Sequence, residues 1–148
     1  MNTDEAIAAF PVLATVVGAD WMRTHPGWFE GRHMPLPVWF AQLNSDLGIL
    51  SAQGVSVQGY GAMLRDEPGF LTALLEIHGA SLLARVSTQL SLHVPRSPGD
   101  ATNFDVLATI AGSRIAAECK TRADGSPSIS RRLKPRMVSS CTKPSELS

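Results

Sequence analysis

Cysteine is scarce in this chain: there are two in 148 residues, Cys119 and Cys141. They offer neither a disulfide framework nor a metal-ligand spacing, which points to a reducing, cytoplasmic setting. Net charge is missing too. Thirteen Lys/Arg balance thirteen Asp/Glu, so overall charge selects no partner. No apolar run approaches the ~20 residues of a membrane span, and no membrane partner is expected. Asp4 and Glu5 stand where a secretion signal would carry positive charge, so none is expected there. A phosphate-cradling glycine loop with its lysine is absent, as is a serine elbow with a partner histidine. There is no internal repeat and no known base-reading helix or finger.

What is present suffices for a core. Apolar residues make up 44% and charged residues 18%, a globular rather than a disordered balance. The length suits one ordinary domain, or a small domain with an accessory piece. Charge is unevenly spread. Residues 1–113 hold five Lys/Arg and ten Asp/Glu, net −5, and residues 114–148 hold eight and three, net +5. A basic end can meet phosphate, or it can be a solvated tail that aids solubility.

Periodicity divides the chain into three parts. Residues 1–66 read as an N-terminal helical region. Thr3 to Val17 has a helical apolar side, capped by Asn2 or Thr3, with Pro11 forcing a kink or a later start. Gly18 to Pro37 reads as irregular. Val38 to Leu50 carries Trp39, Leu43, Leu47 and Leu50 in helical phase. Gly54 to Gly61 reads as a glycine-rich turn or short strand. Residues 67–122 read as an α/β core. A helix begins near Pro68 behind Asp66 or Glu67, with Gly79 as a weak point. Val86 to Val94 alternates as a half-buried strand, Asn103 to Ile110 is a second strand, Ala111-Gly112 a tight turn, and Ser113 to Lys120 a third strand. Residues 123–148 are Ser/Pro/Arg-rich, without apolar period, and read as a basic, disordered tail.

The second and third strands carry the chemistry. Asp105 lies in one strand, and Glu118 and Lys120 lie in the next. Residues two apart in a strand share a face, and the turn folds Asp105 back toward that end. Two carboxylates there form a hard-oxygen site suited to Mg²⁺ or Mn²⁺. A neighbouring lysine can orient a water or stabilise developing charge. With six Glu and three Lys in the chain, chance Glu-x-Lys pairs number roughly 0.1.

The order of a helix with Glu76, a strand, a strand with Asp105, and a strand with Glu118-Cys119-Lys120 resembles the PD-(D/E)XK nuclease superfamily. The resemblance covers about 55 residues. It implies an α/β, restriction-endonuclease-like core: a helix, then a three-stranded mixed or antiparallel sheet, behind the N-terminal helical region. It implies Asp105 and Glu118 as metal-binding acids, Lys120 as the motif lysine and Glu76 as the helix acid. The proline usual before the motif aspartate is replaced by Asn103-Phe104. The family core also continues into a further helix and strand where this chain turns Ser/Pro/Arg-rich, as in a truncated member. The function implied is Mg²⁺-dependent cleavage of DNA phosphodiesters, with catalytic residues Glu76, Asp105, Glu118 and Lys120. Arg114, Arg122, Arg131 and Arg132, with Lys134 and Arg136, would contact phosphate. The expected partner is DNA, and a homodimer is the assembly considered.

Other readings of the same residues stand beside this one. Asp105, Glu118 and Lys120 can form an exposed ion-pair cluster on a hairpin, worth little energetically. Glu76 taken alone reads equally as a solvent-facing helix glutamate. A nuclease fold without catalysis would bind nucleic acid or a partner protein. A third option assigns the work to a helical interaction module in the Trp-rich half. Trp21, Trp28 and Trp39 can stack bases, though core packing is the commoner use. His25 and His33 lack a third ligand at a useful spacing, His78 reads as helix packing or surface, and His93 as a polar-face strand residue.

Overall fold

The first helix is fixed by its opening residues. The Asn2 side-chain oxygen accepts the Glu5 N–H at 2.9 Å, and Glu5 accepts the Asn2 N–H at 2.7 Å. This reciprocal cap satisfies two donors that a helix start leaves open. In the structure, a computed structural model that describes residues 1–30 and 36–120, α1 then runs Thr3–Ala9 and α2 Pro11–Val17. The break at Phe10 is the one Pro11 demands, since proline has no N–H to continue the ladder. α2 has no cap of its own. Asn44, from a later helix, accepts the Val12 and Leu13 N–H groups at 3.0 and 3.1 Å.

The segment read as irregular contains two short helices, α3 (Ala19–Thr24) and α4 (Gly27–Glu30). Gly18, at φ 96°, ends α2 and lets α3 restart at an angle. Aromatic packing rather than periodicity holds these turns. Trp28 is buried and its indole N–H donates to the Leu64 carbonyl at 2.7 Å, while Phe29 packs on Phe40. α5 spans Leu36–Ala52, longer at both ends than its apolar phase suggested, and buries Phe40, Leu43, Leu47 and Leu50. Residues 54–61 form turns and no strand, and α6 starts within them at Tyr60–Arg65. Gly61 is required there. A Cβ on it would lie 2.4 Å from the Val16 carbonyl oxygen, so α6 crosses α2 backbone to backbone.

α7 (Glu67–Ala84) starts behind Asp66 with Pro68 in its first turn, as expected. Gly79 does not break it. A Cβ at that position would lie 2.9 Å from Cys119 Sγ, so the glycine makes room for the sheet. The sheet is antiparallel, in the order β1 (Gln89–Pro95), β2 (Asn103–Ile110), β3 (Ser113–Ala117). Two expected strand ends were too generous. Val86 is exposed and belongs to the turn after α7, and β3 stops three residues before Lys120. α7 bridges the layers, touching α5 and α6 as well as β1 and β2. The buried residues form one cluster from Ala6 to Ala117, running across residue 66. The fold is thus mixed α/β with a three-stranded antiparallel sheet. No helix of the described residues is long and apolar enough to cross a membrane.

The β2–β3 turn places Ala111 at φ 48° and Gly112 at φ 79°. Two left-handed residues make a two-residue hairpin turn of the kind that Asn-Gly favours. Alanine there costs about 1–2 kcal/mol. Ala111→Asn should therefore raise stability by about 1 kcal/mol and the melting temperature by roughly 2–4 °C. Thermal unfolding checks this, and an unchanged or lower midpoint would speak against the left-handed turn.

Candidate functional site

Glu76 lies on the face of α7 that also buries Ala73, Ile77 and Ala80. It is 7% exposed, so it is not the solvent-facing glutamate of the alternative reading. An unpaired carboxylate there would cost several kcal/mol. Its partner is His93, whose Nε2 lies 3.1 Å from Glu76 Oε2. His93 reaches it through an unusual backbone. It sits at φ 50° in the middle of β1, a conformation that costs a non-glycine residue about 1–3 kcal/mol. The paired rungs on either side are Leu92 with Val106 and Val94 with Phe104. The rung between them, which carries His93 and Asp105, is unpaired. The Tyr60 hydroxyl lies 3.5 Å from the same His93 nitrogen. That hydroxyl is held far above the ordinary phenol range, by burial first, then by the charge and hydrogen bond of Glu76, then by Cys119 and Asp105.

Asp105 and the Glu118–Lys120 segment meet at the end of the hairpin. Val106 pairs with Ala117, so the next rung carries Asp105 and Glu118. The ladder ends there, and Glu118 and Lys120 follow β3 rather than lie in it. Asp105 joins the segment through the main chain: its Oδ2 accepts the Cys119 N–H at 2.6 Å. Glu118 is clasped from two sides. Arg96 Nη2 donates to its Oε1, and Lys120 Nζ lies 3.2 Å from its Oε2. Lys120 is mostly exposed. The contacts of Glu118 are thus the ion-pair cluster of the alternative reading, and Asp105 takes no direct part in them.

The other expected residues fall elsewhere. Arg114 pairs with Thr109 beside the turn, four residues and roughly 13 Å of strand from Glu118. Arg122, Arg131, Arg132, Lys134, Arg136, Cys141, His33 and the tail at 123–148 lie outside the described residues. Trp28 belongs to the core, with Trp21 and Trp39 packed against it. His25 stacks on Trp21. His78 bonds Asp46, a buried carboxylate that also accepts from Gln42 and Ser81. A shallow depression between α2 and residues 51–58 is lined by Pro11, Val12, Val57 and Gln58, none of them part of the acidic group.

Tyr60, His93 and Arg96 were not legible as site residues. Alternation puts His93 on the polar face, and only its left-handed backbone turns it to Glu76. Tyr60 is the sole tyrosine of the chain, and nothing in its spacing links it to residue 76. Arg96 stands in a proline-rich loop with no motif around it.

Among the described residues, no three His, Cys, Asp or Glu side chains gather to hold a metal ion. The oxygen donors still suit a hard cation. Mg²⁺ is commonly held by one or two carboxylates, with water and substrate phosphate completing its shell. Asp105 and Glu118 are carboxylates on adjoining segments, Asp105 bonded to the Cys119 N–H and Glu118 paired with Arg96 and Lys120.

Cys119 reports on this surrounding. Burial first, then the negative charges of Asp105 and Glu76, push its thiol up to about 11, with Lys120 acting the other way. Only the thiolate reacts, so labelling should be slow at pH 8 and climb about tenfold per pH unit toward that value. The measurement is iodoacetamide labelling of the folded Cys141→Ser chain. Glu76→Gln removes one charge and should move the profile to lower pH. A rate already level below pH 9 would contradict this electrostatic setting.

No family model, curated protein or solved structure matches the chain.

Proposed function

We propose that the chain is a metal-dependent, nuclease-like protein that hydrolyses DNA phosphodiester bonds. The observation supporting this reading is that α7, β2 and the segment after β3, which carry Glu76, Asp105, Glu118 and Lys120, meet around Cys119. Their chain order is that of the PD-(D/E)XK core. Cys119 lies at the centre: Asp105 accepts its N–H, Glu76 and Asp105 both raise its thiol, and Glu118 and Lys120 flank it.

In this reading Asp105 and Glu118 hold Mg²⁺ or Mn²⁺. When bound, such a cation polarises the phosphodiester and lowers the pKa of water. Lys120, exposed at its ammonium end, orients the attacking water or stabilises developing negative charge. Glu76 assists from α7, its carboxylate bonded by His93, whose same nitrogen lies 3.5 Å from the Tyr60 hydroxyl. DNA is the proposed substrate, by the resemblance of the motif order to the PD-(D/E)XK nucleases.

A second reading is a nuclease fold that binds nucleic acid or a partner protein without cleaving. It is favoured by one observation: both Glu118 oxygens are already engaged by cationic side chains.

Plasmid nicking with Mg²⁺ decides between them. Asp105→Ala and Lys120→Ala should each lower the cleavage rate by about 10²-fold or more. Cleavage unchanged in both variants would remove the catalytic reading. Absence of cleavage by the unaltered chain, with duplex binding retained, would favour the second.

A further inference from the structure

Arg96 opens the loop between β1 and β2, and that loop is braced from within. The Arg96 N–H donates to the Thr102 carbonyl at 3.1 Å, and the Asp100 N–H to the Ser97 carbonyl at 3.0 Å. The Asp100 carboxylate accepts the Thr102 N–H and hydroxyl at 2.9 and 2.8 Å. The loop's own acid is therefore occupied by the loop. The Arg96 side chain turns instead across the Phe104 ring, 5.0 Å from its centroid, and its fork ends on Glu118.

We propose that Arg96 is a phosphate-positioning residue, held on Glu118 until a divalent cation takes that carboxylate. The inference rests on the reading that Asp105 and Glu118 hold the cation. Three features carry it. The Arg96–Glu118 pair is about one-third exposed on each side, 38% and 34%, so both solvent ions and a ligand can reach it. A guanidinium stacked on an aromatic ring keeps its plane fixed while its fork stays free to change partner, and that fork matches the oxygens of a phosphate. A site built from Glu76, Asp105 and Glu118 repels a phosphodiester unless cations line it, and Arg96 and Lys120 are the Arg and Lys side chains paired with Glu118 among the described residues. Transfer of Glu118 to a metal ion would release the Arg96 fork beside the acids.

This gives effects of opposite sign, which a simple structural clamp does not. Arg96→Gln removes the competing internal cation. It should tighten Mn²⁺ binding to the DNA-free chain by roughly two- to fivefold, the size of a half-exposed ion pair. The same change should weaken duplex binding in Ca²⁺ by roughly tenfold, the loss of a charge-assisted hydrogen bond. Calorimetry with MnCl₂ and fluorescence anisotropy with a labelled duplex measure the two on the full chain, with Asp105→Asn as the control. Tighter Mn²⁺ binding together with weaker duplex binding supports the assignment. Unchanged or weaker Mn²⁺ binding in Arg96→Gln, beside a clear difference between the unaltered chain and Asp105→Asn, overturns it and leaves the metal reading in place. Mn²⁺ binding no better in the unaltered chain than in Asp105→Asn overturns the metal reading, and this inference with it.

Discussion

A carboxylate on the buried face of α7 governs the arrangement around it. Glu76 occupies a position that apolar packing would fill with leucine or alanine, and burying its charge demands donors. His93 supplies one from β1, and the Tyr60 hydroxyl, at the start of α6, adds its own hydrogen bond to the carboxylate. One of these comes at the cost of a left-handed backbone in mid-strand. α7 also joins the helical layer to the sheet, so the three groups fix how that layer meets β1. The close approach of Cys119 to Gly79 fixes where the chain leaves β3.

Asp46 offers a contrast within the same molecule. It too is buried, and it accepts from Gln42, His78 and Ser81, all on regular helices α5 and α7. None of these partners needs a strained backbone. Its role is explained by joining the two helices. Glu76 is held by a costlier device near the end of the sheet, beside further acids and exposed cations. Strain of that sort clusters at functional sites more than in plain packing contacts.

Much of the fold was legible where one period dominates. Pro11 marked the break between α1 and α2, Pro68 the start of α7, and Ala111-Gly112 the hairpin turn. The N-terminal middle was not legible, because Trp28, Phe29 and Met22 hold short helices by tertiary packing that leaves no period. The ends of β1 and β3 were missed for a related reason. Val86 and Lys120 fit the alternation, but Val86 falls opposite the β2–β3 turn, and beyond Ala117 the Cys119 N–H turns to the Asp105 carboxylate although β2 continues to Asn103. Of the candidate site, Asp105, Glu118 and Lys120 could be named from residue type and spacing, and Glu76 only through the family resemblance. The partners that orient them could not. His93 depends on one backbone angle, and Arg96 on a loop whose path is set by Asp100 and Thr102.

The bend at His93 has one more effect. β1 lies at an edge of the sheet among the described residues, where a straight strand would offer a continuous row of free amide and carbonyl groups. A residue turned to φ 50° interrupts that row near its centre. A foreign strand that zipped onto the first half would lose register before the second. The distortion that turns an imidazole toward Glu76 thus also guards the sheet against edge-to-edge aggregation.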